Sequence, residues 1–183
     1  MASSQSPRTI LVLGGARSGK SRYAEALADR SGLSKTYVAT GAAFDDEMAE
    51  RIRLHKVQRG TAWKTVEEQM DLPSVLKAEC RPDCVVLVDC LTLWLSNLLF
   101  REQDMAAAAQ SLQETLPSLE GPCIFVSNET GMGIVPEHRL SRTFRDAQGR
   151  LNQDIARICD TVVFVAAGLP MVLKPNSQPD IIL

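Results

Sequence analysis

Short apolar runs alternate along this chain with longer segments in which apolar side chains recur every three or four positions. The runs Thr9–Leu13, Thr36–Ala39, Cys84–Val88, Cys123–Val126 and Thr161–Ala166 are rich in Val, Ile or Leu, the pattern of strands covered on both faces. Between them Lys20–Arg30, Asp45–Arg59, Leu91–Arg101, Met105–Leu116 and Glu137–Cys159 read as the helices that supply the cover. Strand and helix in repeated succession predict an α/β fold, a mostly parallel sheet flanked by helices. Trp63–Glu67 alternates more weakly and is a candidate further strand, and Met171–Lys174 a candidate edge strand. No linker composition and no fixed-period repeat divides the chain, so 1–183 is expected to form one domain. Residues 1–8 and 175–183 read as loose ends.

Size agrees with one core: 183 residues and 20.0 kDa suit a single domain of ~100–200 residues. Hydrophobic residues at 45% and charged residues at 23% exclude disordered and fibrous classes. Lys plus Arg number 20 against 22 Asp plus Glu, a net charge of -2, so no global field attracts a polyanion and nucleic acid is not an expected partner. No run of ~18 apolar residues is present and the start MASSQSPRT lacks an apolar signal segment, so no membrane span and a cytoplasmic location are expected. The 5 cysteines show no C-x-x-C spacing and read as small buried apolar groups. With His55 and His138 as the 2 histidines, no zinc ligand set emerges.

The chemistry enters directly after the first strand. Gly14-Gly15-Ala16-Arg17-Ser18-Gly19-Lys20-Ser21 fits G-x-x-x-x-G-K-[ST] between a strand and a helix. Glycines let backbone N–H groups wrap a phosphate at the helix amino terminus, Lys20 adds a positive charge, and Ser21 is the expected Mg²⁺ ligand. A second element of such a site is a carboxylate ending a neighbouring buried strand, since Mg²⁺ takes few protein ligands. Asp89, after Val85–Val88, supplies it. The same residue also suits the N-cap of the helix beginning at Leu91.

Asp45, Asp46 and Glu47 open a helix where carboxylates favour the dipole, and Met48, Ile52 and His55 follow on one face. His55 is read either as a packed histidine or as a functional one beside Lys56 and Arg59, cations suited to an anionic substrate. The segment Ser127–Pro136 places polar groups and glycines after a buried strand, at the edge where open α/β sheets bind ligands. Arg139, Arg142 and Arg145 recur along one helix side, as a solvated face or a contact surface. The motifs alone admit a small-molecule kinase or a nucleotide-dependent switch protein.

Taken together these residues resemble the bifunctional adenosylcobinamide kinase/adenosylcobinamide-phosphate guanylyltransferase family of cobalamin biosynthesis. The resemblance takes in the phosphate loop, Tyr37–Thr40, Asp45–Met48, Arg51-Ile52 with His55-Lys56, Trp63, Asn97–Phe100, Asn128-Glu129, Gly131–Pro136, and Phe144-Arg145-Asp146 with Gly149-Arg150. It implies a phosphate-loop NTPase fold of RecA-like type, a homotrimer, and two reactions at one nucleotide site. ATP or GTP phosphorylates adenosylcobinamide; GTP then guanylylates a histidine, and GMP passes to adenosylcobinamide phosphate. On this resemblance His55 is the nucleophile and Lys20 the second catalytic residue. The nucleotide contacts are Gly14, Gly15, Ala16, Arg17, Ser18, Gly19, Lys20, Ser21, Val38, Ala39, Thr40, Lys56, Val57, Gln58, Arg59, Glu67 and Asp89. Mg²⁺ would sit at Ser21 and Asp89. Two departures stand out: Leu54-His55-Lys56 has one histidine where some relatives have two, and Asp89 stands where others place Glu.

Overall fold

The structure, a computed structural model, describes residues 8–42 and 62–176. Seven strands form one sheet in the order β3-β2-β4-β5-β1-β6-β7. They are β1 (Thr9–Gly14), β2 (Ser34–Ala39), β3 (Lys64–Glu67), β4 (Cys84–Asp89), β5 (Cys123–Asn128), β6 (Thr161–Ala166) and β7 (Leu169–Lys174). Neighbouring strands from β3 to β6 are parallel, and β7 closes the far edge antiparallel to β6. Trp63–Glu67 and Met171–Lys174 thus both contribute strands, one at each edge.

Because the central strands are buried on both faces, alternate residues feed two cores. Leu11, Leu13, Val86, Val88 and Phe125 point to one side with Trp94, Leu112 and Ile155. Val12, Val85, Leu87, Ile124 and Val126 point to the other, under Ala24 and Ala28. Helix α1 (Lys20–Arg30) covers the second face; α2 (Leu72–Glu79), α3 (Leu91–Phe100), α4 (Met105–Thr115) and α5 (Arg139–Ile158) cover the first. Helix α2 is absent from the sequence reading. Its start is nevertheless encoded, since the Asp71 side chain accepts from the Ser74 amide and Pro73 sits in the first turn. Helix α5 begins two residues later than expected because Arg142 donates to the carbonyls of Pro136 and Glu137 and holds that stretch as a loop. All five cysteines are free and buried. Burial pushes the thiols of Cys123 well up and of Cys159 up to about 12, so both pack as uncharged groups.

Opposite the site, the start of the sheet is stapled by Asp160. One carboxylate oxygen accepts from the Arg8 amide, the Thr9 amide and the Thr9 hydroxyl, each at 2.9 Å. Arg8, placed among loose residues by the sequence reading, also donates to the carbonyl of Leu119 at 2.9 Å. Desolvation raises the Asp160 pKa, but these bonds and the Lys174 charge outweigh it and hold it below the ordinary value. A lowered folded pKa stabilises above the unfolded value near ~3.9 and ceases to do so as pH falls through the folded value. Asp160→Asn should therefore cost about 1 kcal/mol at neutral pH, kept small by solvent at this exposed carboxylate. The gap between wild type and variant in urea melts should narrow from pH 5 to pH 3; a gap that stays constant would contradict this account.

Candidate functional site

At the carboxyl edge of the sheet the strand register sets out a row of site residues. Ala39 is paired with Glu67 on one side and Asp89 on the other. Farther along, Gly14 faces Asn128 across the β1–β5 pair. The Asp89 strand is not the immediate neighbour of the phosphate-loop strand, as the sequence reading had it: β5 lies between β4 and β1. That spacing leaves the end of β5 facing the gap between loop and carboxylate.

The loop Gly14–Ser21 takes its shape from the absence of side chains. A Cβ on Gly14 would stand 2.5 Å from the Val165 carbonyl, and Gly19 adopts φ 93, the left-handed region. Gly19 then caps α1 with no side-chain hydrogen bond and no acidic residue in the first turn. First-turn N–H groups are left without intrahelical acceptors, which is how a helix amino terminus receives phosphate. Lys20 Nζ donates to the Gly15 carbonyl at 3.1 Å, folded back along the loop. A feature the sequence reading missed braces the loop from outside. Ala167 and Gly168, with φ 51 and φ 79, turn β6 into β7, and the Gly168 amide donates to the Ser18 carbonyl at 2.8 Å. Its one sign in the sequence is Gly168, a residue that takes positive φ freely, between the apolar runs Thr161–Ala166 and Met171–Lys174.

Asp89 is positioned by a buried clamp. The Thr40 hydroxyl donates to the Cys90 carbonyl and accepts from the Cys90 amide, both at 2.7 Å. Asn97 Nδ2 in turn donates to the Thr40 carbonyl at 2.7 Å and that of Gln69 at 3.2 Å. Val38 and Thr40 are buried, so they shape this edge through packing and the clamp. Helix α3 is capped by Cys90, whose sulfur accepts from the Leu93 amide at 3.5 Å. Asp89 is thereby released from the capping alternative. Burial first, then the Asp89 charge, push the Cys90 thiol up to about 11 against the hydrogen bonds of the Leu93 and Thr92 amides and the Lys20 charge. Glu67 ends the edge strand β3 and is exposed.

A second clamp fixes the end of β5. The Asn128 amide donates to Thr92 Oγ1 at 2.8 Å, and its carbonyl accepts from Asn152 Nδ2 at 3.0 Å. Beneath it Ser127, Gln148 and Asn152 bond one another at 2.7 to 3.0 Å in a buried network. Gln148 and Asn152 were legible only as polar members of an amphipathic helix. Meanwhile Ser18 Oγ, Asn128 Oδ1 and Thr130 Oγ1 are buried without a partner among the described residues, unused bonding capacity that clusters around the loop.

The structure therefore brings Gly14–Ser21, Val38–Thr40, Glu67 and Asp89 to one edge. His55, Lys56, Val57, Gln58 and Arg59 lie outside the described residues. Ser21 and Asp89 are hard oxygen donors whose side chains accept no hydrogen bond among the described residues, and they fit a Mg²⁺ that takes few protein ligands.

Comparison with known proteins bears on the chain as a whole. A model of the family described as cobinamide kinase / cobinamide phosphate guanyltransferase matches residues 10–173. The bifunctional adenosylcobalamin biosynthesis protein CobP of Pseudomonas aeruginosa is 50% identical over 166 residues, covering 90% of this chain and 96% of its own. The corresponding protein CobU of Escherichia coli is 43% identical over 180 residues, 90% of this chain and 99% of its own. A solved ATPase from the type III secretion system of pathogenic bacteria superposes with a TM-score of 0.51 at 11% identity, over 90% of this chain and 56% of that one, a likeness of fold alone. The chain belongs to the cobinamide kinase / cobinamide phosphate guanyltransferase family.

Proposed function

We propose that this chain phosphorylates the aminopropanol hydroxyl of adenosylcobinamide with ATP or GTP and then transfers GMP from GTP to the new phosphate by way of His55. Family membership supports the pair of reactions, and the observation that carries their assignment to one site is the uncapped phosphate loop facing Asp89 across the end of β5. The loop amides and Lys20 hold the triphosphate. Mg²⁺, when bound at Ser21 and Asp89, offsets charge on the phosphate oxygens. Val38, Ala39 and Thr40 shape the edge beside Glu67, and Lys56 to Arg59 follow the nucleophile in sequence.

In the first reaction the alcohol oxygen bonds to the γ-phosphorus as the bond to the bridging oxygen breaks, and the nucleoside diphosphate leaves. In the second, the lone pair of the neutral His55 imidazole attacks the α-phosphorus of GTP and pyrophosphate leaves. The corrinoid phosphate then takes the GMP and the imidazole is released. A covalent intermediate splits one transfer into two easier displacements.

Assembly as a homotrimer belongs to the same proposal. Edge strand β7 exposes Leu169, Met171, Val172 and Leu173, and the loop after β5 exposes Met132, Ile134 and Val135, apolar surface that association would cover. Among the described residues no helix is long and apolar enough to cross a membrane, and we place the enzyme in the cytoplasm with its nucleotides. Light scattering should give about three times 20.0 kDa; a fully active monomer would contradict the trimer.

Two substitutions test the shared site. Lys20→Ala should lower both activities by about a hundredfold or more, and wild-type rates in that variant would remove the shared triphosphate. His55→Asn should abolish the labelled adduct formed with α-labelled GTP and the guanylyl transfer, while phosphorylation of adenosylcobinamide continues. Since a phosphoramidate is acid-labile and comparatively base-stable, an acid-labile GMP adduct persisting in His55→Asn would move the nucleophile to His138.

A further inference from the structure

Phosphorylating an alcohol releases a proton, and none of the residues so far assigned receives it. We propose that Glu129 is the general base of the phosphoryl transfer, an inference that rests on the kinase activity proposed above. Glu129 is the first residue beyond β5, and its amide donates to the carbonyl of Gly14 at 3.1 Å. It is thus tied directly to the first residue of the phosphate loop, on the strand that separates that loop from Asp89.

Its side chain is held but not used up. One carboxylate oxygen, Oε1, accepts from the Gly131 amide at 2.5 Å, and the other has no partner among the described residues. A Cβ on Gly131 would come within 2.9 Å of Oε1, so glycine at that position is what leaves room for the carboxylate. Its sequence neighbours Asn128 and Thr130 each present a buried oxygen without a partner among the described residues, the state of groups whose partners arrive with substrate or water. Among the described residues, Glu68, Asp89 and Glu67 at this edge are committed or remote. Glu68 Oε1 accepts from the amides of Met70 and Asp71 at 2.7 and 2.8 Å, Asp89 is assigned to Mg²⁺ in the function proposed above, and Glu67 sits on the edge strand, beyond Asp89 from the loop.

The step balances without another reactant. As the alcohol oxygen bonds to the γ-phosphorus, its proton passes to the free oxygen of Glu129. The electron pair of the breaking bond leaves with the nucleoside diphosphate, and the carboxyl later returns the proton to water. The guanylyl half of the cycle needs no such base, because the imidazole attacks through a lone pair and the corrinoid phosphate is already anionic. Glu129 is therefore a catalytic residue for one reaction, with Gly131 as a positioning residue.

The full-length protein is assayed for ATP-dependent phosphorylation of adenosylcobinamide and, separately, for covalent labelling by α-labelled GTP. Glu129→Gln, which keeps an oxygen for the Gly131 amide, should lower phosphorylation about a hundredfold or more while labelling stays near the wild-type level. Gly131→Ala moves only the flexible end of a side chain, so its melting temperature should be unchanged while phosphorylation falls about tenfold or more and labelling persists. Wild-type phosphorylation in Glu129→Gln would overturn the assignment. Parallel loss of both reactions with a lowered melting temperature would also overturn it, by showing a structural role. If the wild-type protein labels with GMP yet phosphorylates no adenosylcobinamide, the kinase reading falls and the base with it; a working wild-type kinase with an unimpaired Glu129→Gln removes the base alone.

Discussion

The turn between β1 and α1 is the constraint on which the site depends. Chain leaving a buried strand must reverse into a helix within a few residues, and it can do so here because Gly14 has no Cβ to meet the Val165 carbonyl and Gly19 accepts a left-handed φ of 93. That geometry starts α1 with no side-chain cap at Gly19, and a triphosphate is a ligand suited to the first-turn amides of such a helix and to the Lys20 charge. Buttressing comes from the other end of the chain, where Gly168 holds the Ser18 carbonyl. The edge hairpin is in this sense part of the nucleotide site.

Parallel strands alone would not hold the loops above them, since all their hydrogen bonds lie within the sheet. Buried polar side chains perform that task. Thr40 and Asn97 tie the ends of β2 and β4 together, while Thr92 and Asn152 grip the end of β5. Each bond lies in a low-dielectric interior where an unmade one is costly. The result is a row of fixed strand ends between Glu67 and Gly14, with the buried oxygens of Ser18, Asn128 and Thr130 unpartnered among the described residues.

Much of this was legible because it is local. The phosphate loop is one continuous motif in strand–loop–helix context, and the buried strands announce themselves by unbroken apolar runs. What escaped depends on contacts distant in sequence or on short elements. Strand order is set by crossover connections, so the interposition of β5 between Asp89 and the loop could not be read from the Asp89 strand itself. Helix α2 spans only eight residues, too few for a clear period, although Asp71 and Pro73 marked its start. Asn97 reads as a polar residue in a leucine-rich helix until the fold brings it 2.7 Å from the Thr40 carbonyl. His55, by contrast, is assigned through the family resemblance and its neighbours in sequence, and lies outside the described residues.

A single triphosphate cradle that serves both phosphoryl and guanylyl transfer would hold one nucleotide per chain. Calorimetric titration of the full chain with non-hydrolysable analogues of ATP and GTP, in the presence of Mg²⁺, addresses it most directly. One analogue should bind per chain, and saturation with either should exclude the other. Simultaneous binding of both, at two triphosphates per chain, would contradict the account.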